Sequence, residues 1–132
     1  MTARRATILM IVAATAARVG IAFALGPGQD EAYYYQYAAH PAWGYLDHPP
    51  MLGWVGRAGL TAADGFVSAG TWRLGFVLVG AVSLAWLARV TRRWFGDTAA
   101  LLAVVAWMAT GYMGWVAGTL ALPDGPLLCA WL

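Results

Sequence analysis

The sequence predicts an all-α membrane protein, and two observations carry that reading. Of its 132 residues, 61% are hydrophobic and only 11% charged. A soluble domain carries roughly 25% charged residues to cover its surface, and a chain with under half that leaves large apolar patches facing water. The second observation is length. Three apolar stretches, about 7 to 25, about 69 to 90 and about 98 to 120, match the roughly 20 residues needed to cross a hydrocarbon core about 30 Å thick. A fourth apolar run starts at Pro126 and is cut off at Leu132. The expected architecture is three full transmembrane helices plus a truncated fourth, with a long outer loop, 26 to 68, that carries short amphipathic helices. Residues 1 to 132 then read as the N-terminal part of one multi-spanning domain. The low charge excludes a disordered tail, a nucleic-acid-binding basic domain and a secreted disulfide mini-protein. A single Cys129 in an apolar run reads as a small packing residue.

The first span sets the orientation. Arg4 and Arg5 precede it, and Arg89, Arg92 and Arg93 lie between the second and third spans, so both positions belong in the cytoplasm by the positive-inside rule. Asp30, Glu31, Asp47 and Asp64 fall between spans one and two, and Asp124 follows span three. Only Asp97 is left inside. The expected location is the cell inner (plasma) membrane, multi-pass, with the N-terminus cytoplasmic. A cleaved signal peptide is the competing reading of residues 1 to 25, since two arginines precede an apolar stretch and Ala22-Phe23-Ala24 resembles a cleavage site; the stretch is long for that purpose, and further spans follow.

Arg18 makes that first span marginal alone. Its apolar residues supply about 2.4 to 4.8 kcal/mol of insertion free energy, against a penalty of about 2.5 to 3.5 for a central arginine. Arg18 is expected either to snorkel to the outer interface or to face the bundle interior. Arg73, a few residues inside the second span, has the same two options.

The loop between the first two spans exceeds what a simple connection needs, and its tyrosines and tryptophans argue against disorder. Gly26-Pro27-Gly28 closes the first span. Asp30 to His40 is helix-compatible with acids at its start, Pro41 to His48 is irregular, and Pro49 resumes a helical pattern to about Leu60. Tyr and Trp prefer the headgroup level, so both short helices are placed on or near the outer leaflet.

Three acids in these outer segments have two readings. Asp30 sits at a helix start, Asp47 precedes His48-Pro49-Pro50, and Asp124 interrupts the apolar sequence within Leu122-Pro123-Asp124-Gly125-Pro126. Each can simply cap the helix that follows it. If the spans pack as a bundle, the three can instead converge on one outer site flanked by aromatics. His48 beside Asp47 falls short of a metal signal by itself, since a site needs three or more ligands, and His40 reads as structural.

The ordered strings Asp30-Glu31-Ala32-Tyr33-Tyr34, Gly44-Tyr45-Leu46-Asp47-His48-Pro49-Pro50-Met51 and Leu122-Pro123-Asp124-Gly125-Pro126-Leu127 resemble the N-terminal part of integral-membrane glycosyltransferases of the C-type fold. More narrowly, they resemble the group that includes the protein O-mannosyltransferases and the bacterial lipid A aminoarabinose transferase. The resemblance covers the whole chain, and family members continue for several hundred residues. It implies transfer of a sugar from a polyprenyl-phosphate donor to a hydroxyl of a lipid, glycan or protein acceptor on the extracytoplasmic side, in contact with membrane lipids. It also implies catalytic roles for Asp30 as base and for Asp47 and Asp124 as supporting acids, with Asp47 contributing to a divalent metal site of unspecified identity. Asp47-His48 stands where the aminoarabinose transferase has Glu-Lys, and Tyr33 where it has Arg.

A lipid phosphate leaves readily, so one base suffices and the general acid of two-carboxylate glycosidases is not needed. The departing phosphate needs positive charge, for which Arg57 and Arg73 are the basic residues on that face. Glu31, Tyr34 and His48 complete the expected substrate contacts. The 132-residue piece alone is expected to be inactive.

The alternative is a non-enzymatic multi-spanning membrane protein, a transporter fragment or assembly subunit whose outer acids cap helices or bind cations. Transporters place ionisable groups near the midplane, often in repeated halves, whereas these acids sit at the outer surface with no internal repeat. Further spans encoded beyond Leu132 favour the enzyme, and an immediate stop favours the subunit.

Overall fold

Helix α1 (Ala3–Ala24) begins where the Thr2 hydroxyl accepts the Arg5 N–H and ends ahead of Gly26-Pro27-Gly28, where glycine and proline end a helix cheaply. The computed structural model describes residues 1–132 and is entirely helical, with no strand. The buried positions of α1 are Thr7, Ala14, Arg18 and Ala22, one stripe at helical spacing, while Ile8, Leu9, Val12 and Phe23 point outward. Small and polar residues inside with large apolar residues outside is the pattern of a helix packed in lipid rather than in water.

Two short helices follow, α2 (Gln29–Ala39) and α3 (Met51–Ala62), joined by an irregular segment. Their positions agree with the sequence pattern to within one or two residues. Helix α3 presents Gly53, Gly56 and Gly59 inward beside Leu52 and Leu60. That stripe lets its backbone approach the next helix closely: a Cβ on Gly75 would lie 2.0 Å from the Val55 carbonyl oxygen. Leu52, Leu60, Trp72 and Phe76 form a buried cluster with Tyr37 and Ala38 of α2, so both short helices are pinned to the bundle.

Helix α4 (Ala69–Ala109) opens with a capping box, Ser68 and Thr71 each taking the other's backbone N–H. It is continuous only up to Gly96, which has φ 84° and ψ 178°, a region open essentially to glycine alone. The chain reverses there. Leu84 and Ala88 before the reversal share a buried cluster with Val104 and Met108 after it, and Ala14 of α1 completes the group. Helices α1 and α4 are the two that are long and apolar enough to cross a membrane.

The third expected span, 98 to 120, is not one helix. The α-helical ladder stops at Ala109, a π-helical turn occupies Gly111–Val116, and α5 (Asp124–Trp131) follows. The break falls at Thr110, whose backbone is extended (φ −80°, ψ 127°); its hydroxyl donates to the Trp107 carbonyl at 2.7 Å and accepts the Gly114 N–H at 3.0 Å, beside the backbone bonds that both groups also make. The segment still carries the chain the length of the bundle, from Asp97, which lines a cavity with Arg4 and Arg92, to Ala121, which is bonded to Glu31 of α2.

Arg18 faces the bundle interior, 1% exposed. Its Nε and one terminal nitrogen donate to the Gly114 carbonyl, the second of these at 2.5 Å. The π turn leaves that carbonyl available, and glycine at 118 leaves room for the guanidinium, since a Cβ there would fall 2.7 Å from its central carbon. The Gly114 carbonyl and the Met108 sulfur take Nε and one terminal nitrogen, whereas the other terminal nitrogen is buried without a partner, so Arg18 does not snorkel and is only partly compensated.

Candidate active site

One end of the bundle gathers α2, the segment before α3, and the start of α5. The ion pair that holds these pieces together is buried. Glu31, at the third position of α2, reaches back to the Gly28 N–H at 3.0 Å and forward to the Ala121 N–H at 2.9 Å. Its carboxylate also receives Nε of Arg73 at 2.7 Å and one terminal nitrogen. Desolvation pushes this carboxyl up, but the hydrogen bonds from Arg73, Ala121 and Gly28 outweigh it and hold the pKa below the ordinary glutamate value.

Arg73, fully buried, gives its remaining N–H groups to the carbonyls of Ala22, Leu25 and Gly26 at 2.8 to 2.9 Å. Ala22 lies in the last turn of α1, where carbonyls lack helical partners and positive charge is favoured. All five N–H donors of the guanidinium are therefore engaged within the protein. The phosphate contact expected of Arg73 finds no free donor, and Glu31 is likewise fully engaged.

Above this buried pair lie the three acids. Asp47 accepts from the Tyr37 hydroxyl at 2.6 Å on one oxygen and from the Tyr33 hydroxyl at 3.1 Å on the other. The two tyrosines stand one helical turn apart on α2 with their hydroxyl oxygens 2.9 Å apart, and each has a single proton, which it gives to Asp47. The hydrogen bond from Tyr37, with that from Tyr33, keeps the Asp47 carboxyl below its ordinary range against the opposing effect of desolvation, and the same bond pushes the Tyr37 hydroxyl well above its own. His48 Nδ1 lies 3.2 Å from Asp47, and its ring packs at 4.8 Å from that of Tyr34. Asp124 accepts from Tyr112 at 2.7 Å.

Asp30 and Tyr34 complete the arrangement. The Tyr34 hydroxyl is pushed up first by burial and then by the charges of Asp30, Asp47 and Asp124 together. One phenol thus lies within electrostatic reach of three carboxylates from three separate segments. Asp30 is exposed in the first turn of α2, and its carboxylate takes no hydrogen bond within the protein. None of the three serves as a side-chain cap: Glu31 bonds the N–H before α2, and α3 and α5 have no side-chain cap bond.

Two expected participants stand apart. Arg57, exposed on α3, lines a cavity of about 450 Å³ with Tyr35 and Asp64, and none of the three acids borders it. The donors around Asp47 do not fit a metal ion by themselves. Both of its oxygens already accept tyrosine hydroxyls, and no three His, Cys, Asp or Glu side chains form a ligating group. Sequence reading passed over Tyr33 and Tyr37, although their spacing of four on a helix carrying acids at its start was a usable signal; nothing in the sequence pointed to Tyr112.

A family model for dolichyl-phosphate-mannose-protein mannosyltransferase matches residues 47–132, well over half of the chain. The chain belongs to that family. The matched region starts at Asp47 and includes Asp124, together with α3, α4, the π turn and α5. Membership in this mannosyltransferase family makes the chain part of a glycosyltransferase lineage and agrees with its two membrane-length apolar helices. No curated protein and no solved structure matches the chain.

Proposed function

We propose that this chain forms part of a membrane glycosyltransferase that moves a sugar from a polyprenyl-phosphate donor to an acceptor hydroxyl outside the cytoplasm. The observation that carries the reading is that α2, which bears Asp30, holds Asp47 through Tyr33 and Tyr37 and, through Glu31, bonds the Ala121 N–H just ahead of Asp124, in a member of this family. Asp30 is the base, because it alone of the three makes no hydrogen bond within the protein, whereas Asp47 and Asp124 are tied to tyrosines. In the transfer step the acceptor O–H proton passes to the Asp30 carboxylate as the acceptor oxygen bonds to the anomeric carbon. The bond from that carbon to the phosphate oxygen breaks, and its electron pair departs with the lipid phosphate.

Asp47 and Asp124, held in place by Tyr33, Tyr37 and Tyr112, set a fixed negative potential beside the sugar. Such a potential favours the positive charge that develops on an anomeric carbon in glycosyl transfer. Tyr34 and His48 border the space where the sugar would sit. The acidic end faces outward because the arginines Arg4, Arg89, Arg92 and Arg93 occupy the other end. In a membrane transfer assay of the full-length protein with a polyprenyl-phosphate sugar, Asp30→Asn should lower turnover at least about a hundredfold while expression and membrane insertion stay unchanged. Full turnover by Asp30→Asn would remove the assignment.

A further inference from the structure

The opposite end of the bundle holds a cavity with a basic rim that glycosyl transfer does not use. Between α1 and the two limbs of α4 lies a space of about 150 Å³ lined by Arg4, Arg89 and Arg92, with Asp97 as the only acid. None of these groups is ion-paired: the one arginine–carboxylate pair of the chain is Arg73 with Glu31. The three arginines outnumber the one acid, so the cavity carries net positive charge, and an anion seated there relieves the remaining repulsion.

A second, more open slot adjoins it. Ala85 and Arg89 line both spaces, and the slot continues along Val82 and Trp86 on the outer surface of α4. Trp86 is 47% exposed there, and Trp94 and Phe95 near the chain reversal are 74% and 77% exposed. Aromatic residues at the end of a membrane-length helix mark the headgroup level. A basic pocket at that level, continuous with an apolar slot running toward the bilayer interior, fits a molecule with an anionic head and a hydrocarbon tail. An inorganic anion would leave the slot unused, and a soluble acidic protein could not enter it.

We propose that this cleft binds an anionic phospholipid, its phosphate between Arg4, Arg89 and Arg92 and an acyl chain along Val82, Ala85 and Trp86. The inference rests on the reading of α1 and α4 as membrane spans and is independent of the catalytic reading at the other end. A bound lipid would clamp α1 to both limbs of the hairpin where Gly96 reverses the chain, and so would fix the reversal.

The test is native mass spectrometry of the full chain in detergent, titrated with phosphatidylglycerol, with phosphatidylcholine of the same acyl chains, and with inorganic phosphate. Phosphatidylglycerol should bind roughly tenfold or more tightly than phosphatidylcholine, and the triple variant R4Q/R89Q/R92Q should lose that preference. The variant R5Q/R93Q removes charge at the same end of the bundle without touching the cavity, and should keep it. Equal binding of the two lipids by the unmodified chain overturns the proposal. An equal loss in R5Q/R93Q shows diffuse surface charge and overturns the site, and competition by inorganic phosphate alone at similar affinity overturns the role of the acyl slot. Because all the substituted arginines are exposed, folding is checked by retention of the helical circular dichroism signal.

Discussion

Arg73 grips Glu31 with two of its nitrogens, Nε lying 2.7 Å from one carboxylate oxygen, and with its other donors holds the end of α1. Through Glu31 the same contact reaches the Ala121 N–H, just ahead of Asp124. The pair therefore ties together the chain segments that flank two of the three acids. A buried pair is weak as a source of net stability, but removal of one member leaves an uncompensated charge.

Arg73→Gln and Glu31→Gln should each destabilise the protein by about 3–5 kcal/mol, read as a lower unfolding midpoint in detergent. The double variant should be less destabilised than the sum of the two, because its second substitution removes the charge left unpaired by the first. Additive losses would show that the two residues act separately.

Glu31 also makes the stability pH-dependent. Its folded-state pKa lies below the ordinary value of 4.5, so its stabilising contribution is fully present above that value and is lost as pH falls through the folded pKa. An unfolding midpoint followed from pH 7 downward should fall below pH 4.5, and Glu31→Gln should flatten that part of the curve. An unchanged acid limb in the variant would assign the effect to other carboxyls.

Tyr37→Phe removes the 2.6 Å hydrogen bond to Asp47. The Asp47 carboxyl pKa should then rise toward its ordinary range, a shift visible by carbon-detected NMR of a labelled sample. Tyr33→Phe should move it in the same direction by less, since its bond is longer at 3.1 Å. An Asp47 pKa unaffected by either change would mean that the tyrosines do not hold it.

Gly96→Ala should destabilise the hairpin by about 1–3 kcal/mol, because no other residue tolerates φ 84° with ψ 178° without strain. Protease access near the reversal and the unfolding midpoint both report on it. Equal stability of the alanine variant would show that the reversal can relax.

The sequence shows the places where this chain can cross a membrane more clearly than the way its backbone does so. Apolar length marks α1 and the start of α4, and Gly26-Pro27-Gly28 marks a true helix end, because those signals are local. The 98 to 120 stretch is just as apolar, yet its α-helix stops at the extended backbone of Thr110 and a π turn follows, and no property of composition reveals that register. Glu31 and Asp30 are adjacent and chemically alike. Only the packing of α4, which places Arg73 against one of them, decides that Glu31 is buried and Asp30 exposed. The convergence of acids was readable as an option from their shared side, and the tyrosine hydroxyls that fix two of them became visible only with the fold.

Catalysis at the acidic end requires Asp30, Asp47 and Asp124 to face one compartment, opposite Asp97. Replacement of each in turn by cysteine in a Cys129→Ser background, followed by a membrane-impermeant maleimide applied to sealed cells, measures this directly. The account predicts labelling at 30, 47 and 124 from outside, with position 97 labelled only after the membrane is opened. Labelling of any of the three from the same side as position 97 would contradict it.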